Sequence, residues 1–181
     1  MTYPATYDAA IRAAMLQWFP QAGWLWGKAQ LIAESSLNPD ARSDAGAIGL
    51  AQFMPDTWDD VREWFNWGHE ASPFDPTYAI PAYARFMRLL WESWTAPRPM
   101  LDRLKLAQAS YNAGLGNVIH AQRFARRTGT TDAPNDYASI IAALPQVTGH
   151  DNAMQTTYYV LRIEKIYTEL NAGPLIAAGS S

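Results

Sequence analysis

Glu34 closes an almost wholly apolar segment, "GWLWGKAQLIAES", and a loop of mostly small residues, "SLNPDARSDAGAIGLAQFMPDTW", follows it. Projected at helical pitch, Trp24, Leu25, Trp26, Ala29, Leu31, Ile32, Ala33 and Leu37 point in almost every direction. A helix with no broad polar face is expected to be buried nearly all round, and Glu34 with it. On that projection Glu34 lies near Gly27 and Gln30, so the carboxyl is expected to open toward a gap left by a residue without a side chain. Burial disfavours the charged carboxylate, raises its pKa and keeps a proton available near neutral pH. That is what a general acid requires. The same position also suits a solvated or capping glutamate, and residue type alone does not choose between them.

Other chemistry-bearing patterns are weaker. His69, His120 and His150 stand far apart, with no partner at metal-ligand spacing. Asn38, Asp40 and Asp44 fall near calcium-loop spacing, but Arg42 occupies a ligand position and the closing bidentate glutamate is missing. "GLGN", Gly114 to Asn117, begins like a dinucleotide-binding turn without its third glycine or a preceding strand. "RFARR", Arg123 to Arg127, reads as a solvated helix end, where cations suit the dipole, or as a contact for an acidic polymer. No metal and no cofactor are expected. Tyr111 and Tyr159 read as core aromatics, Met54 as core filler, and Ser43 and Gln52 as loop residues with local backbone bonds.

The elements that must position Glu34 are helices. Ile80, Tyr83, Ala84, Met87, Leu90, Trp91 and Trp94 recur at three and four and define one apolar face. Further helices are expected over Tyr7 to Phe19, Gly23 to Ser36, Asp56 to Trp67, Met100 to Ala113, Asn117 to Arg127, Asp136 to Ala143 and Asp151 to Asn171. Pro20, Pro39, Pro73 to Pro76, Pro97 to Pro99, Gly114 with Gly116, Pro134 and Pro145 are the expected breaks. No repeat, charge block or low-complexity linker divides the chain, and alternating strands are missing.

At 181 residues the chain is long enough to bury a core without disulfide or metal staples. It has no cysteine, which excludes thiol nucleophiles and zinc-thiolate sites. A net charge of -3 and a pI near 5.5 give no electrostatic grip on nucleic acid or anionic lipid. The start, "MTYPATYDAAIRAAMLQWFP", lacks the basic end and apolar run of a secretion signal, and no later run is apolar enough to span a bilayer. Synthesis as a soluble cytoplasmic monomer without membrane insertion is expected. Most of the eight tryptophans are expected in the core, with one or two left to line a sugar site.

Three blocks carry a family resemblance. "ES" at Glu34 and Ser35 followed by "LNPDARSDAGAIGLAQFMPDT", then "SYNAG" at Ser110 to Gly114, then "TTYYV" at Thr156 to Val160, resemble in order the signature of the soluble lytic transglycosylases. These are glycoside hydrolases of lysozyme-like fold that cut peptidoglycan. The resemblance runs from about Tyr7 to Leu170; Ala51, Ser110 and Gln155 stand where the family commonly has methionine, alanine and glutamate. It implies a mainly α, single compact domain with little or no β over residues 1–172; the small residues that follow, over 173–181, read as a flexible tail. It also implies Glu34 as the catalytic acid, supported by Tyr159, Tyr111 and Ser43. Gln52, Phe53, Met54 and Asn112 are then the substrate-binding residues.

Most glycosidases use two carboxylates; here the motifs supply one, and the resemblance implies that the substrate supplies the other reacting group. The implied product is a 1,6-anhydro-N-acetylmuramic acid end, formed without water. The early tryptophan-rich helix and the compact length resemble the versions carried by bacteriophages, so an endolysin reaching the periplasmic wall through a membrane lesion, or carried in a virion, is expected. A lysozyme-type hydrolase and a non-catalytic wall-binding or virion protein of the same fold are the alternatives.

Overall fold

The computed structural model describes residues 3–129 and 133–172, so the tail expected over 173–181 lies outside the described residues. Among these, nine helices form and strands are absent; only two isolated antiparallel bridges occur, Arg42 with Ile48 and Ile48 with Phe53. The mainly α expectation is met. The backbone groups into two compact units, one running to Ala84 and resuming at Ile163, the other spanning Arg85–Arg162.

The first unit holds α1 (Asp8–Trp18), α2 (Trp24–Ser35), α3 (Pro55–Trp64) and parts of α4 (Pro76–Glu92) and α9 (His150–Asn171). In α1, Ile11, Ala14 and Met15 recur at three and four and are buried. The helix packs closely on α2 because Gly27 has no side chain: a Cβ there would lie 2.8 Å from Met15 Sδ. Met15 therefore fills the gap that helical projection assigned to the Glu34 carboxyl. All of α2 from Gly27 to Ala33 is buried, but Trp24 to Trp26 and Glu34 are only half-buried, so all-round burial stops short of the acid. The burial includes Lys28, whose ammonium meets Asp8 of α1 at 2.6 Å. A buried charge is tolerable only with such a partner.

Proline opens helices here as often as it ends them. Pro55 takes the first position of α3, and Pro76 that of α4, where Asp75 Oδ1 accepts the N–H of Thr77 at 2.8 Å. The Pro73 to Pro76 segment lies between α3 and α4, as expected, and its last proline starts the new helix. Pro81 even lies inside α4. α3 stops at Trp64, short of Trp67, because Asn66 turns left-handed at φ 53°. Only Trp58, Trp91 and Trp94 of the eight tryptophans are buried; the other five are half-buried, and three of them, Trp18, Trp26 and Trp67, pack on other rings. Trp26 stacks on Tyr167 at 3.9 Å, and Trp18, Phe65, Trp67 and Tyr78 form a chain of ring pairs 4.1–5.0 Å apart.

The second unit contains α5 (Met100–Ala113), α6 (Leu115–Thr128), α7 (Tyr137–Ala143), the short α8 (Pro145–Thr148) and the remainder of α4 and α9. α5 buries Leu104 and every residue from Leu106 to Ser110. Ser110 Oγ accepts the indole N–H of Trp94 at 3.2 Å and donates to Leu106 O at 2.7 Å, which gives the departure from the family's alanine a packing role. Gly114, at φ 86°, joins α5 to α6, and Gly116 sits within the first turn of α6 rather than breaking it. α7 begins without a local side-chain cap; Asp102 of α5 accepts the N–H of Tyr137 at 3.0 Å instead. α7 ends at Ala143, as expected, and Pro145 takes the first position of the short α8.

Candidate active site

Glu34 occupies the last turn of α2, which ends when Ser36 and Leu37 adopt left-handed φ values of 57° and 63°. Its half-buried carboxyl faces one titratable neighbour whose ionisation records it: burial pushes the Tyr83 phenol well above its ordinary range, and the Glu34 carboxylate pushes it the same way. Tyr83, 1% exposed on α4, donates its hydroxyl to Gln30 Oε1 at 3.1 Å. Gln30 precedes Glu34 by four residues and is completely buried, so the two share a face of α2. Sequence reading placed Gln30 beside Glu34 without giving it a role, and it missed Tyr83. A polar residue four before the acid, inside an apolar segment, was the available signal for Gln30; Tyr83 was hidden among the apolar positions of its helix.

The loop after α2 is bonded to itself and to the helix end. Ser35 Oγ donates to Leu50 O at 2.7 Å, and Ile48 and Phe53 exchange backbone hydrogen bonds of 2.9 and 3.0 Å. Gly49 makes the fold-back possible: at φ 77° it is left-handed, and a Cβ there would run into the carbonyl of Pro73. Leu50, Ala51 and Phe53 are buried as anchors, whereas Met54 keeps 46% of its surface. Met54 is therefore not core filler. Phe53, expected among the substrate-binding residues, is 1% exposed and packs against Trp58 with ring centroids 5.6 Å apart, so it shapes the loop from beneath. Ser43 is exposed, and its Oγ accepts the N–H of Ala47 at 2.9 Å. Gln52, itself left-handed at φ 51°, donates its amide N–H to Ala41 O at 3.3 Å and Gly49 O at 2.8 Å. Both make the local bonds expected of loop residues. The amide N–H group of Gln52 is thus spent on backbone carbonyls of its own loop.

Tyr111, Asn112 and Tyr159 belong to the second unit. Tyr111 and Tyr159 are half-buried rather than core, and Tyr111 packs on Phe86 at 5.3 Å. Asn112 lies exposed at the end of α5, where its Oδ1 accepts the hydroxyl of Thr156 at 2.9 Å. It also lines a cavity of about 240 Å³ with Asn117, Thr148, Asn152, Gln155 and Thr156. Asn117 and Asn152 each spend their amide N–H on a backbone carbonyl of the preceding turn, at 2.8 and 3.0 Å. The cavity is thus rich in amide oxygens, which suit ligands with N–H or O–H donors. Gln155, which stands where the family has glutamate, keeps that lining uncharged. Among the described residues no group of three or more His, Asp or Glu is placed to hold a metal ion, and no helix is long and apolar enough to cross a membrane.

Comparison with known proteins agrees with the motifs. Residues 28–133 match the family model described as the transglycosylase SLT domain. The chain is 27% identical over 157 residues to the membrane-bound lytic murein transglycosylase F of Shewanella halifaxensis, covering 80% of this chain and 31% of the relative. With the protein of the same name from Maricaulis maris it shares 32% identity over 147 residues, covering 78% and 28%. The chain thus spans about a third of the length of these curated relatives. The 70 kDa soluble lytic transglycosylase of Escherichia coli superposes with a TM-score of 0.67 at 21% identity, over 93% of this chain and 25% of that one. An inactive glutamate-to-glutamine mutant of the lytic transglycosylase Slt from Pseudomonas aeruginosa superposes with a TM-score of 0.68 at 25% identity, over 94% and 25%. The helical fold is accordingly the lysozyme-like one of these enzymes, and the chain belongs to the transglycosylase SLT family.

Proposed function

We propose that this chain is a peptidoglycan lytic transglycosylase, cleaving the β-1,4 bond between N-acetylmuramic acid and N-acetylglucosamine with Glu34 as its acid. The observation that carries the reading is the placement of Glu34: a single carboxyl in the last turn of a buried helix, beside a neutral phenol and before a self-bonded loop. At the C-terminal end of a helix the dipole opposes an anion, so a proton donor is better accommodated there than a carboxylate.

The chemistry closes with that one group. Glu34 gives its proton to the glycosidic oxygen as the C1–O bond breaks, releasing N-acetylglucosamine. The acetamido oxygen of the muramic acid attacks C1 and forms an oxazolinium-like intermediate. The Glu34 carboxylate then removes the proton of the same sugar's C6 hydroxyl, whose oxygen bonds C1 and releases the acetamido group. Glu34 ends protonated, and no water is consumed. Tethering the nucleophile to the reacting sugar supplies a large effective molarity, provided the ring is held in reactive geometry.

The remaining residues take roles consistent with their exposure. Met54 offers an apolar surface for a sugar face, Gln52 an amide oxygen, and Asn112 the rim of a polar cavity. Tyr111, Tyr159 and Ser43 support the acid and the reacting sugar in this reading, and residues 1–172 act as one catalytic domain. The substrate is the peptidoglycan glycan strand, and the protein works as a monomer. Its setting is host-cell lysis by a bacteriophage, supported by the tryptophan-rich first helices. Replacing Glu34 with glutamine tests the central assignment. Release of muropeptides from purified cell wall should stop while the far-ultraviolet circular dichroism stays unchanged, and a variant of full activity would remove Glu34 from the mechanism.

A further inference from the structure

We infer that Arg98 and Arg126 form an oxyanion site that takes a carboxylate of the wall's peptide stems, apart from the residues assigned to glycan cleavage. The inference rests on peptidoglycan being the substrate and adds a second point at which the chain holds it.

The second unit, Arg85–Arg162, contains nine Lys and Arg against five Asp and Glu, whereas the rest of the chain contains five against twelve. The net negative charge of the whole chain therefore hides a cationic unit. Within it, Gln122 and Arg126 are four apart on α6 and share a face. With its amide oxygen toward them, the buried Gln122 accepts from Nη2 of Arg98 and from Nη2 of Arg126, each at 3.2 Å. The two guanidinium nitrogens stand no further apart than twice that distance. Arg98 also donates its Nε–H to Ala96 O at 3.1 Å and lies over the Trp94 ring at 5.1 Å. Arg126 donates Nε–H and Nη2–H to Asn135 Oδ1, at 3.1 and 2.5 Å. Every one of these acceptors is neutral. Among the described residues neither arginine has a carboxylate at ion-pair distance, and Arg98 Nη1 is buried without an acceptor.

Two like charges held this close favour an anion between them, and the chain supplies one only at longer range. Burial and the Arg126 and Arg103 guanidiniums lower the Arg98 pKa, outweighing the opposite pull of Asp102 and Asp136. Asp102 is occupied with the N–H of Tyr137 at 3.0 Å, and Arg103 with Trp91 O at 2.9 Å. Arg126 is exposed, so the pair opens to solvent. A planar guanidinium matches a carboxylate in two parallel hydrogen bonds, and neutral acceptors already fix both planes. Arg98 lies just before α5 and Asn112 in its last turn, so the fourteen residues of that helix, about 20 Å, separate the pair from Asn112. A polymer with repeated peptide stems can present a carboxylate there while its glycan is cut elsewhere.

The test is cosedimentation with purified cell wall, in a Glu34→Gln background so that the wall is not consumed. Arg126→Gln should weaken binding at least about threefold and Arg126→Glu at least about tenfold, with smaller losses at high salt. Arg123→Gln removes the same charge from an exposed position on the same helix, and should weaken binding less than about twofold. Amidating the carboxylates of the wall should abolish the difference between Arg126→Gln and its parent. Equal losses for Arg123→Gln and Arg126→Gln overturn the inference, since diffuse charge then suffices. A difference that survives amidation and is removed by inorganic phosphate overturns it too, and gives the site to phosphate-bearing polymers. Nitrogen-detected titration of the unaltered protein with acetate needs no variant: the Nε signals of Arg98 and Arg126 should shift together and saturate, and signals that stay in place overturn the inference. Release of muropeptides by wild type separates the two levels. A wild type that releases nothing refutes the substrate reading, whereas release with binding indifferent to Arg126 refutes this site alone.

Discussion

Replacing Asp8 with alanine should cost far more than its half-exposed position on the first turn of α1 indicates. The Lys28 side chain is 4% exposed and meets Asp8, 29% exposed, at 2.6 Å. Removing one partner of a buried pair leaves an uncompensated charge, at a cost of about 3–5 kcal/mol. Water can reach the vacated Asp8 side, so the cost falls just below that range, at about 2–3 kcal/mol, with about 0.3–1 kcal/mol more for losing an acid at a helix N-terminus. The total, about 3 kcal/mol, is a large part of the roughly 5–15 kcal/mol that stabilises a domain. Lys28→Met keeps the stem and drops the charge, and should stay within about 1 kcal/mol of wild type. The double variant should then recover about 2 kcal/mol relative to Asp8→Ala, leaving mainly the lost dipole interaction. Urea unfolding followed by circular dichroism reads these differences as midpoint shifts at constant slope. The reasoning is refuted if Asp8→Ala lies within about 0.5 kcal/mol of wild type, or if the double variant is no more stable than Asp8→Ala.

Gly49→Ala forces a left-handed alanine against the Pro73 carbonyl; a loss of at least about 2 kcal/mol is expected, and thermal melting checks it. The displaced loop should also slow turnover on glycan strands at least about tenfold, measured at a temperature where the variant is folded. Ser110→Ala strands the buried indole N–H of Trp94 and should cost about 1–2 kcal/mol, read by urea titration with a change in near-ultraviolet dichroism. Tyr83 makes stability fall at high pH: burial raises its folded pKa above the ordinary tyrosine value of about 10, so its contribution is intact below that value and is lost as pH rises beyond it. Above pH 10 the stability of wild type should decline more steeply than that of Tyr83→Phe, by up to about 1.4 kcal/mol per pH unit.

The helices were legible because their apolar positions repeat at three and four, as in α1 and α4, and that pattern survives any tertiary arrangement. The helix ends were less so. Pro76 and Pro145 each occupy a first helical position, which looks the same in sequence as a break, and Asn66 ends α3 early by a left-handed turn that residue type only permits. The acid itself was visible through its motif, but its surroundings were not. Gly27 looked like a gap beside Glu34, yet the space belongs to Met15 from another helix, a contact no local pattern encodes. Lys28 lies in the same buried run, and its partner Asp8 is on α1, again beyond any local pattern. Tyr83 read as one more core aromatic, because the hydroxyl that joins it to Gln30 shows its value only once two helices meet. Phe53 read as a sugar contact from its place in the motif, whereas burial against Trp58 makes it the floor of the loop.

The mass of the fragments released from purified cell wall tests the central claim most directly. A single acid whose substrate supplies its own nucleophile predicts muropeptides ending in 1,6-anhydro-N-acetylmuramic acid, one water lighter than lysozyme products, throughout the digest and from the earliest times. Reducing ends as the principal product would contradict the account, because they require water, and a base to activate it, where the proposed chemistry uses the sugar's own hydroxyl.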